Sequence, residues 1–269
     1  FAYVPVAHWV WGGGWLSAMG VMDFAGGTVV HVNAGVAALV AAIVLGRRRG
    51  FPQTAMLPHN MTMTVAGAAM LWVGWFGFNA GSAVAADGVA GMAMLVTHIS
   101  AAAGALMWMT VEWIRHGRPG ALGAVTGMVA GLGTITPASG FVGPMGALII
   151  GASAGFTCYW ATQLVKQRWV IDDSLDVFSV HGVGGALGML LTSVFVMSSL
   201  GGAGLPEGVS LASQFGVQAL AVVATAAWSA LISYLALKVA GAVVPLRVGV
   251  DEEIEGLDLV NHEERGYNF

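Results

Sequence analysis

"DFAGGTVVHVNAGVAALVAAIVLGRRRG" runs from position 23 to 50. It opens on an acid, closes on three arginines, and between Asp23 and Arg47 only His31 can carry charge. A stretch this apolar and this long is a helix that crosses a bilayer, since a span needs about 20 such residues. An ionisable ring inside it is costly in lipid, so it faces a cavity or a pathway.

The rest of the chain agrees with that reading. Of 269 residues, 57% are hydrophobic and 9% charged, against roughly 25% charged in a soluble domain. So few charges cannot cover a water-facing surface, and the apolar excess needs lipid as solvent. The net charge of -4 and the lack of a basic patch with interleaved aromatics give no case for nucleic acid. The single cysteine, Cys158, excludes an internal disulfide. The N-terminus lacks a basic region ahead of its apolar run, and no cleavable signal is visible.

The Lys and Arg residues fall in clusters at 47–49, 115–118, 166–168 and 238–247, with Arg265 beyond. Apolar stretches fill the intervals in pairs: 57–83 with 88–113, 120–136 with 142–165, 176–198 with 210–240. The 120–136 stretch is short for a span. An even number of crossings puts every cluster on one side, the cytoplasmic one by the positive-inside rule. Residues 23–46 then run inward, and 1–17 form the outer end of a preceding helix, giving seven full helices and one partial one. The expected division is a membrane domain over 1–247 and an acidic cytoplasmic tail over 248–269. Pairs such as Gly127/Gly131, Gly151/Gly155 and Gly184/Gly188 read as close helix packing.

A second stretch, "DDSLDVFSVHGVGGALGMLL" at 172–191, mirrors the first. Asp176 leads it and His181 follows. At 1.5 Å per residue, His31 lies about 12 Å below one surface and His181 about 13.5 Å above the other. Both rings reach the middle of a core about 30 Å thick. Two such devices in opposite directions are the mark of an inverted repeat. Asp23 and Asp176 also fit plain helix N-caps. His59, His116 and His262 sit by turns or in the tail, and His98, inside a helix, has no evident partner. No third ligand has the spacing a metal needs. No Ser-His-Asp order suggests a nucleophile, so neither an enzyme nor a cofactor is expected.

"HWVWGGGW", "DFAGGTVVHVNAGVAALV", "HN" at 59–60, "GWFGFNAGSA" at 74–83, "TPASGFVGP" and "DVFSVHGVGG" together resemble the Amt/MEP/Rh family of ammonium transporters, on its Amt side. The resemblance runs the length of the chain, in order, to the tail "EGLDLVNHEERGY". It implies an all-α bundle with inverted repeats, eleven helices in the complete family protein, assembled as a trimer with one pore per subunit in the cell membrane. This chain matches from the end of the fourth helix onward and is not expected to conduct alone. The outer of two stacked pore phenylalanines would lie in the unmatched part.

The resemblance further implies that Trp11 and Ser82 recruit ammonium at the outer mouth, with Asp23 ordering that site through nearby backbone. Phe78 would be the inner gate, Trp75 a pore-wall residue, and His31 with His181 the twin-histidine pair. The tail resembles the family's regulatory segment, which can meet PII-class signalling proteins, although His262-Glu263-Glu264 stands where the family often has Gly after its His. The same fold could serve as an ammonium sensor signalling through the tail, or as a neutral gas channel of the Rh type; Trp11 and "DFAGGTVVHVNAG" favour the Amt branch over the latter.

The chemistry fits a neutral passenger. A bare cation at mid-bilayer costs at least about 2.5–3.5 kcal/mol. Ammonium, unlike potassium, can shed its proton, and desolvation favours the neutral amine. A Trp face attracts a small cation by about 0.5–2 kcal/mol, and imidazole exchanges protons near neutrality.

Overall fold

The computed structural model describes residues 1–267 and is all-helical. The chain begins with α1 (Tyr3–Trp11) and the single turn α2 (Trp15–Ala18). Seven long helices follow: α3 (Gly27–Leu45), α4 (Met61–Gly81), α5 (Gly88–His116), α6 (Ala121–Ile135), α7 (Pro144–Arg168), α8 (Phe178–Phe195) and α9 (Leu211–Val243). Six of them are long and apolar enough to cross a membrane, and α6 is the shorter one. Two short tail helices, α10 (Val250–Glu255) and α11 (Leu257–His262), come last.

Local chemistry sets the ends. The Asn60 side chain accepts from Met63 N, Asp87 from Val89 N and Ala90 N, and Ser210 from Ser213 N. Each satisfies donors that a first turn leaves orphaned. Pro144 opens α7, where its missing N–H costs nothing. Gly117 closes α5 at φ +74°, a conformation that a side chain resists.

Backbones approach closely at several helix contacts. Gly127 has Gly104 O and Trp108 against it, Gly131 and Gly151 face Ser100, and Gly155 meets Gly104 O. These contacts fuse α5, α6 and α7 into one block, with Ser100 Oγ donating to Gly131 O at 2.8 Å. Gly184 and Gly188 press α8 onto Thr134 of α6. All three glycine pairs therefore lie at helix contacts, as small residues do where hydrophobic collapse cannot drive association.

α3 and α8 cross at the centre, antiparallel. Gly185 sits against Gly27 O and the His31 Cβ, while Gly35 meets the backbone of Gly182. Both helices open in a wide π turn, Gly27–Val32 and Phe178–Val183. The helical windows begin four residues after Asp23 and two after Asp176, because irregular backbone precedes each.

The tail packs on the ends of two helices. Glu253 takes Arg247 on both oxygens, at 3.0 and 2.7 Å, and Arg49 N at 2.9 Å. The Asn60 amide donates to Tyr267 Oη at 2.8 Å, and His59 stacks on the Tyr267 ring. α10 thus leans on the arginine end of α3, and Tyr267 on the start of α4. The last two residues of the 248–269 tail lie outside the described residues.

Candidate functional site

The two π turns deliver two rings to one point. His31 is buried and His181 half-buried, and their Nδ1 atoms lie 3.1 Å apart with ring centroids at 5.2 Å. A π turn carries one extra residue per turn and is concentrated at functional sites. It swings each imidazole out of the 3.6-residue register toward the crossing. Gly133 of α6 faces the pair: a Cβ there would lie in ordinary contact, 3.8 Å from His181 Nδ1 and 4.0 Å from His31 Cε1.

Two aromatics from α4 cover the pair. The Trp75 ring stacks on His31 at 5.4 Å and 11°, and lies 6.5 Å from His181. Phe78 sits 6.0 Å from His31 and 5.4 Å from Trp75. Trp75 is held by its own indole, which donates to Thr136 Oγ1 at 3.0 Å; that hydroxyl donates in turn to Leu132 O. The cluster is aromatic and contains no permanently charged side chain.

The shared Nδ1 contact constrains the protons. One ring donates Nδ1–H and the other accepts at Nδ1. In the neutral pair the donating ring then has a bare Nε2 acceptor and the accepting ring an Nε2–H donor. His31 Nε2 is buried without a hydrogen-bond partner among the described residues. An unpaired buried nitrogen costs free energy, which a polar guest at this spot would recover.

Asp23 organises the far end of α3. Its Oδ1 accepts from Gly26 N at 2.9 Å and Gly27 N at 2.5 Å. Its Oδ2 accepts from Thr28 N at 2.8 Å, Thr28 Oγ1 at 2.6 Å and Val29 N at 3.4 Å. The carboxylate is 5% exposed and its lone pairs are taken. Its backbone carbonyl accepts the Trp11 indole N–H at 2.8 Å. That bond fixes the edge of a ring that is 45% exposed, leaving a face open. Ser82 ends α4, and its hydroxyl donates to Phe78 O at 2.8 Å; no hydrogen bond joins it to Trp11 or Asp23 among the described residues.

For α8 the opening acid is Asp173, not Asp176. Asp173 accepts from Val177 N at 3.0 Å and Phe178 N at 2.8 Å. Asp176 sits in the left-handed region at φ +58° and pairs with Lys166 Nζ at 2.7 Å. Burial pushes the Asp176 carboxyl up from its ordinary range, against the pull of Lys166. The signal for Asp173 was in the sequence. It precedes His181 by eight residues, as Asp23 precedes His31, and both pairs share an offset of 150.

A cavity of about 740 Å³ leads from the arginine end to His181, lined by Lys166, Asp176, His59, Asn60 and Leu71. Beside it Arg48 clasps buried Asp172 with Nε at 2.9 Å and Nη2 at 2.7 Å, and its backbone N adds a third bond at 2.8 Å. These hydrogen bonds hold the Asp172 carboxyl below the usual carboxylate range and raise the guanidinium further. The clasp ties the end of α3 to the segment that opens α8. His98 lies away from the pair, against Trp72 and Phe76. No group of three or more His, Cys, Asp or Glu able to hold a metal occurs among the described residues.

A profile of the Ammonium Transporter Family matches residues 1–267. The chain belongs to that family. It is 46% identical over 267 residues to the ammonium transporter of Bacillus subtilis, covering 98% of this chain and 65% of that protein. It is 48% identical over 270 residues to the ammonium transporter of Aquifex aeolicus, covering 100% and 62%. A solved structure described as "Sensor Amt Protein" superposes with a TM-score of 0.91 at 34% identity, over 97% of this chain and 67% of that one. Mep2 of Saccharomyces cerevisiae gives a TM-score of 0.81 at 37% identity, over 93% and 58%. The chain thus spans slightly less than two thirds of the first two relatives. It is a multi-pass membrane protein of the ammonium transporter family.

Proposed function

We propose that this chain carries the conducting centre of an ammonium transporter. Ammonium is recruited at the outer mouth against the face of Trp11, with Ser82 beside the gate residue Phe78, and Asp23 shapes that mouth through its backbone crown. The ion loses its proton near Phe78, and ammonia passes His31 and His181 to the cavity at the arginine end. That end is cytoplasmic, because the Lys and Arg clusters meet there and the opposite turns lack them. Trp75 walls the passage, and Asp176 with Lys166 flanks its inner end. Residues 1–247 act as the membrane domain and 248–269 as a cytoplasmic tail. The working protein is a homotrimer in the cell membrane, with a PII-class protein as a regulator at the tail.

The observation that carries the reading is the 3.1 Å contact between His31 Nδ1 and His181 Nδ1 under the Trp75 and Phe78 rings. Rings coupled this closely exchange a proton as a pair. The released proton adds at His31 Nε2, the Nδ1–H of His31 moves to His181 Nδ1, and the Nε2–H of His181 leaves into the inner cavity. Charge thereby crosses without a cation crossing. The test is His31→Leu with His181→Leu in the natural full-length protein in liposomes, reading ammonium-driven current and selectivity against potassium. The relay predicts that current falls by more than tenfold. Full current with unchanged selectivity refutes it.

The tail's grip on the ends of α3 and α4 through Glu253 and Tyr267 favours a second reading, an ammonium sensor that reports pore occupancy through the same contacts. A transporter moves ammonium with the tail removed; a sensor moves little and loses its signal.

A further inference from the structure

Gln218 on α9 is fully buried in a helix otherwise rich in apolar residues. Its amide is spent almost entirely on backbone. Oε1 accepts from Met22 N at 2.9 Å and Gln214 Nε2 at 3.3 Å. Nε2 donates to Met22 O at 2.7 Å and Met189 O at 3.0 Å. Gln214 Nε2 also donates to Gly20 O at 3.0 Å. The irregular segment before α3 is therefore held by side chains of α9 in the way a neighbouring strand would hold it.

The next residue along is Asp23, whose carbonyl receives the Trp11 indole. One peptide unit separates the clamp on Met22 from the carbonyl that fixes the tryptophan edge. On the other side Phe24 N donates to Pro137 O at 3.0 Å, so the carbonyl of Asp23 is braced from both directions. Met189 belongs to α8, the helix that carries His181. One amide thus ties α9 to the approach to α3 and to α8 at once. Packing alone does not ask for this. A leucine of similar volume would fill the site, leaving Met22 N–H, Met22 C=O and one lone pair of Met189 C=O without their partner.

We infer that Gln218 is a positioning residue for cation recruitment: through Met22 and the Asp23 carbonyl it sets the placement of the Trp11 face. This rests on the proposed role of Trp11. Attraction between a cation and an aromatic ring depends on where the cation sits over the face, so a ring that loses its brace loses affinity for the incoming ion. The transfer of protons further down is untouched.

The test measures initial rates of ammonium uptake in the natural full-length protein for Gln218→Leu, Gln218→Glu, Gln214→Leu, Trp11→Leu and the Trp11→Leu/Gln218→Leu double variant, normalised to protein in the membrane. Trp11→Leu is expected to raise KM by two- to tenfold. Gln218→Leu raises KM within the same range and keeps the maximal rate within twofold. The double variant is no worse than Trp11→Leu alone, because the brace has nothing left to place. Gln218→Glu keeps the acceptor for Met22 N and loses both donations to carbonyls, so its KM rises too. Gln214→Leu frees Gly20 O and removes the longer of the two bonds to Gln218 Oε1, but leaves the bonds from Gln218 to Met22 and Met189, and raises KM less. The inference is overturned if Gln218→Leu lowers the maximal rate at unchanged KM, or if the single effects multiply in the double variant. Failure of all three Gln variants to reach the membrane also counts against it, since a positioning residue leaves a folded protein. If Trp11→Leu leaves KM unchanged, the reading of the outer mouth fails first and the inference falls with it.

Discussion

Replacing Asp23 separates two roles that a carboxylate near a cation site can have. It can attract the ion by charge, or it can build the site by accepting hydrogen bonds. The structure gives four close donors to this group: Gly26 N, Gly27 N, Thr28 N and Thr28 Oγ1. Asp23→Ala orphans all four in a buried place. Each costs about 1–3 kcal/mol, so the sum is on the order of 4–12 kcal/mol. That rivals the whole stability of an ordinary fold, about 5–15 kcal/mol. Asp23→Asn keeps Oδ1 for the two glycines, but turns an N–H₂ toward Thr28 N. The Thr28 hydroxyl can rotate to accept; the Thr28 N–H cannot. One orphan and two weakened bonds give about 2–4 kcal/mol. Asp23→Glu is the discriminating change. It keeps the charge and moves it by one methylene, which breaks the crown. Thermal unfolding in detergent, followed by loss of the monodisperse peak, should rank wild type above Asn, with Ala and Glu lowest and poorly recovered. A Glu variant that melts within 2 °C of wild type and transports normally would show that charge alone is needed, and the crown reading would be wrong.

Two further outcomes follow from the crossing and from the clasp. In Gly35→Ala the new Cβ would fall on the backbone N and Cα of Gly182, and neither can rotate away. The cost should reach or exceed the upper end of the usual 1–3 kcal/mol for overpacking; the paired rings should part, and transport should drop at least tenfold in protein that still reaches the membrane. Wild-type transport by Gly35→Ala contradicts the crossing as described. Asp172→Asn tests the Arg48 clasp. A carboxyl held below its ordinary value stabilises the fold fully above about pH 4 and loses that contribution as pH falls through the lowered value. Wild type should therefore melt higher than Asp172→Asn by a constant margin from pH 7 to 5, with the gap closing only below about pH 4. A gap that vanishes between pH 7 and 5 would point to a different group. Arg48 is 43% exposed, so the margin is modest, about 1 kcal/mol.

The spans were legible because charge is so sparse. Arg47–Arg49 and Arg115 can only lie at ends, and the observed helices stop within a few residues of them. The meeting of His31 and His181 was legible because costly rings stood at matched depths in two opposed segments. What stayed hidden was geometry that has no period. A π turn and an α turn share the same composition, so nothing in "GTVVHV" announces the extra residue that turns the imidazole inward. Asp176 looked like the leading acid because it stands next to the apolar run. The chain reverses there at φ +58°, and the carboxylate that reaches the first turn is three residues earlier. Gln218 was silent because its partner Met22 lies 196 residues away. The tail's contacts were silent because its anchors, Arg49 and Asn60, belong to other segments.

On the proposed function, selectivity would come from the apolar, aromatic surroundings of the rings together with a nitrogen able to take a proton. Desolvating a cation at this depth costs at least about 2.5–3.5 kcal/mol. An aromatic face offsets about 0.5–2 kcal/mol of it. A counter-ion could close the gap, and the nearby acids are the natural candidates. Asp23 is saturated by backbone donors and the Thr28 hydroxyl, Asp173 is engaged with the amides of Val177 and Phe178, and Asp176 is held by Lys166. Asp23 has no lone pair left to coordinate a passing ion directly, and Asp176 already has its counter-ion. Sodium and potassium have no way to reduce their charge and so face the whole deficit. Ammonium has one: the desolvation that penalises the ion is the same force that drives its proton off. Under the proposed mechanism the passage would need no filter sized to one cation. Apolar walls and a proton-accepting nitrogen within reach would then sort by acidity, and the unpartnered His31 Nε2 is the atom that would do it.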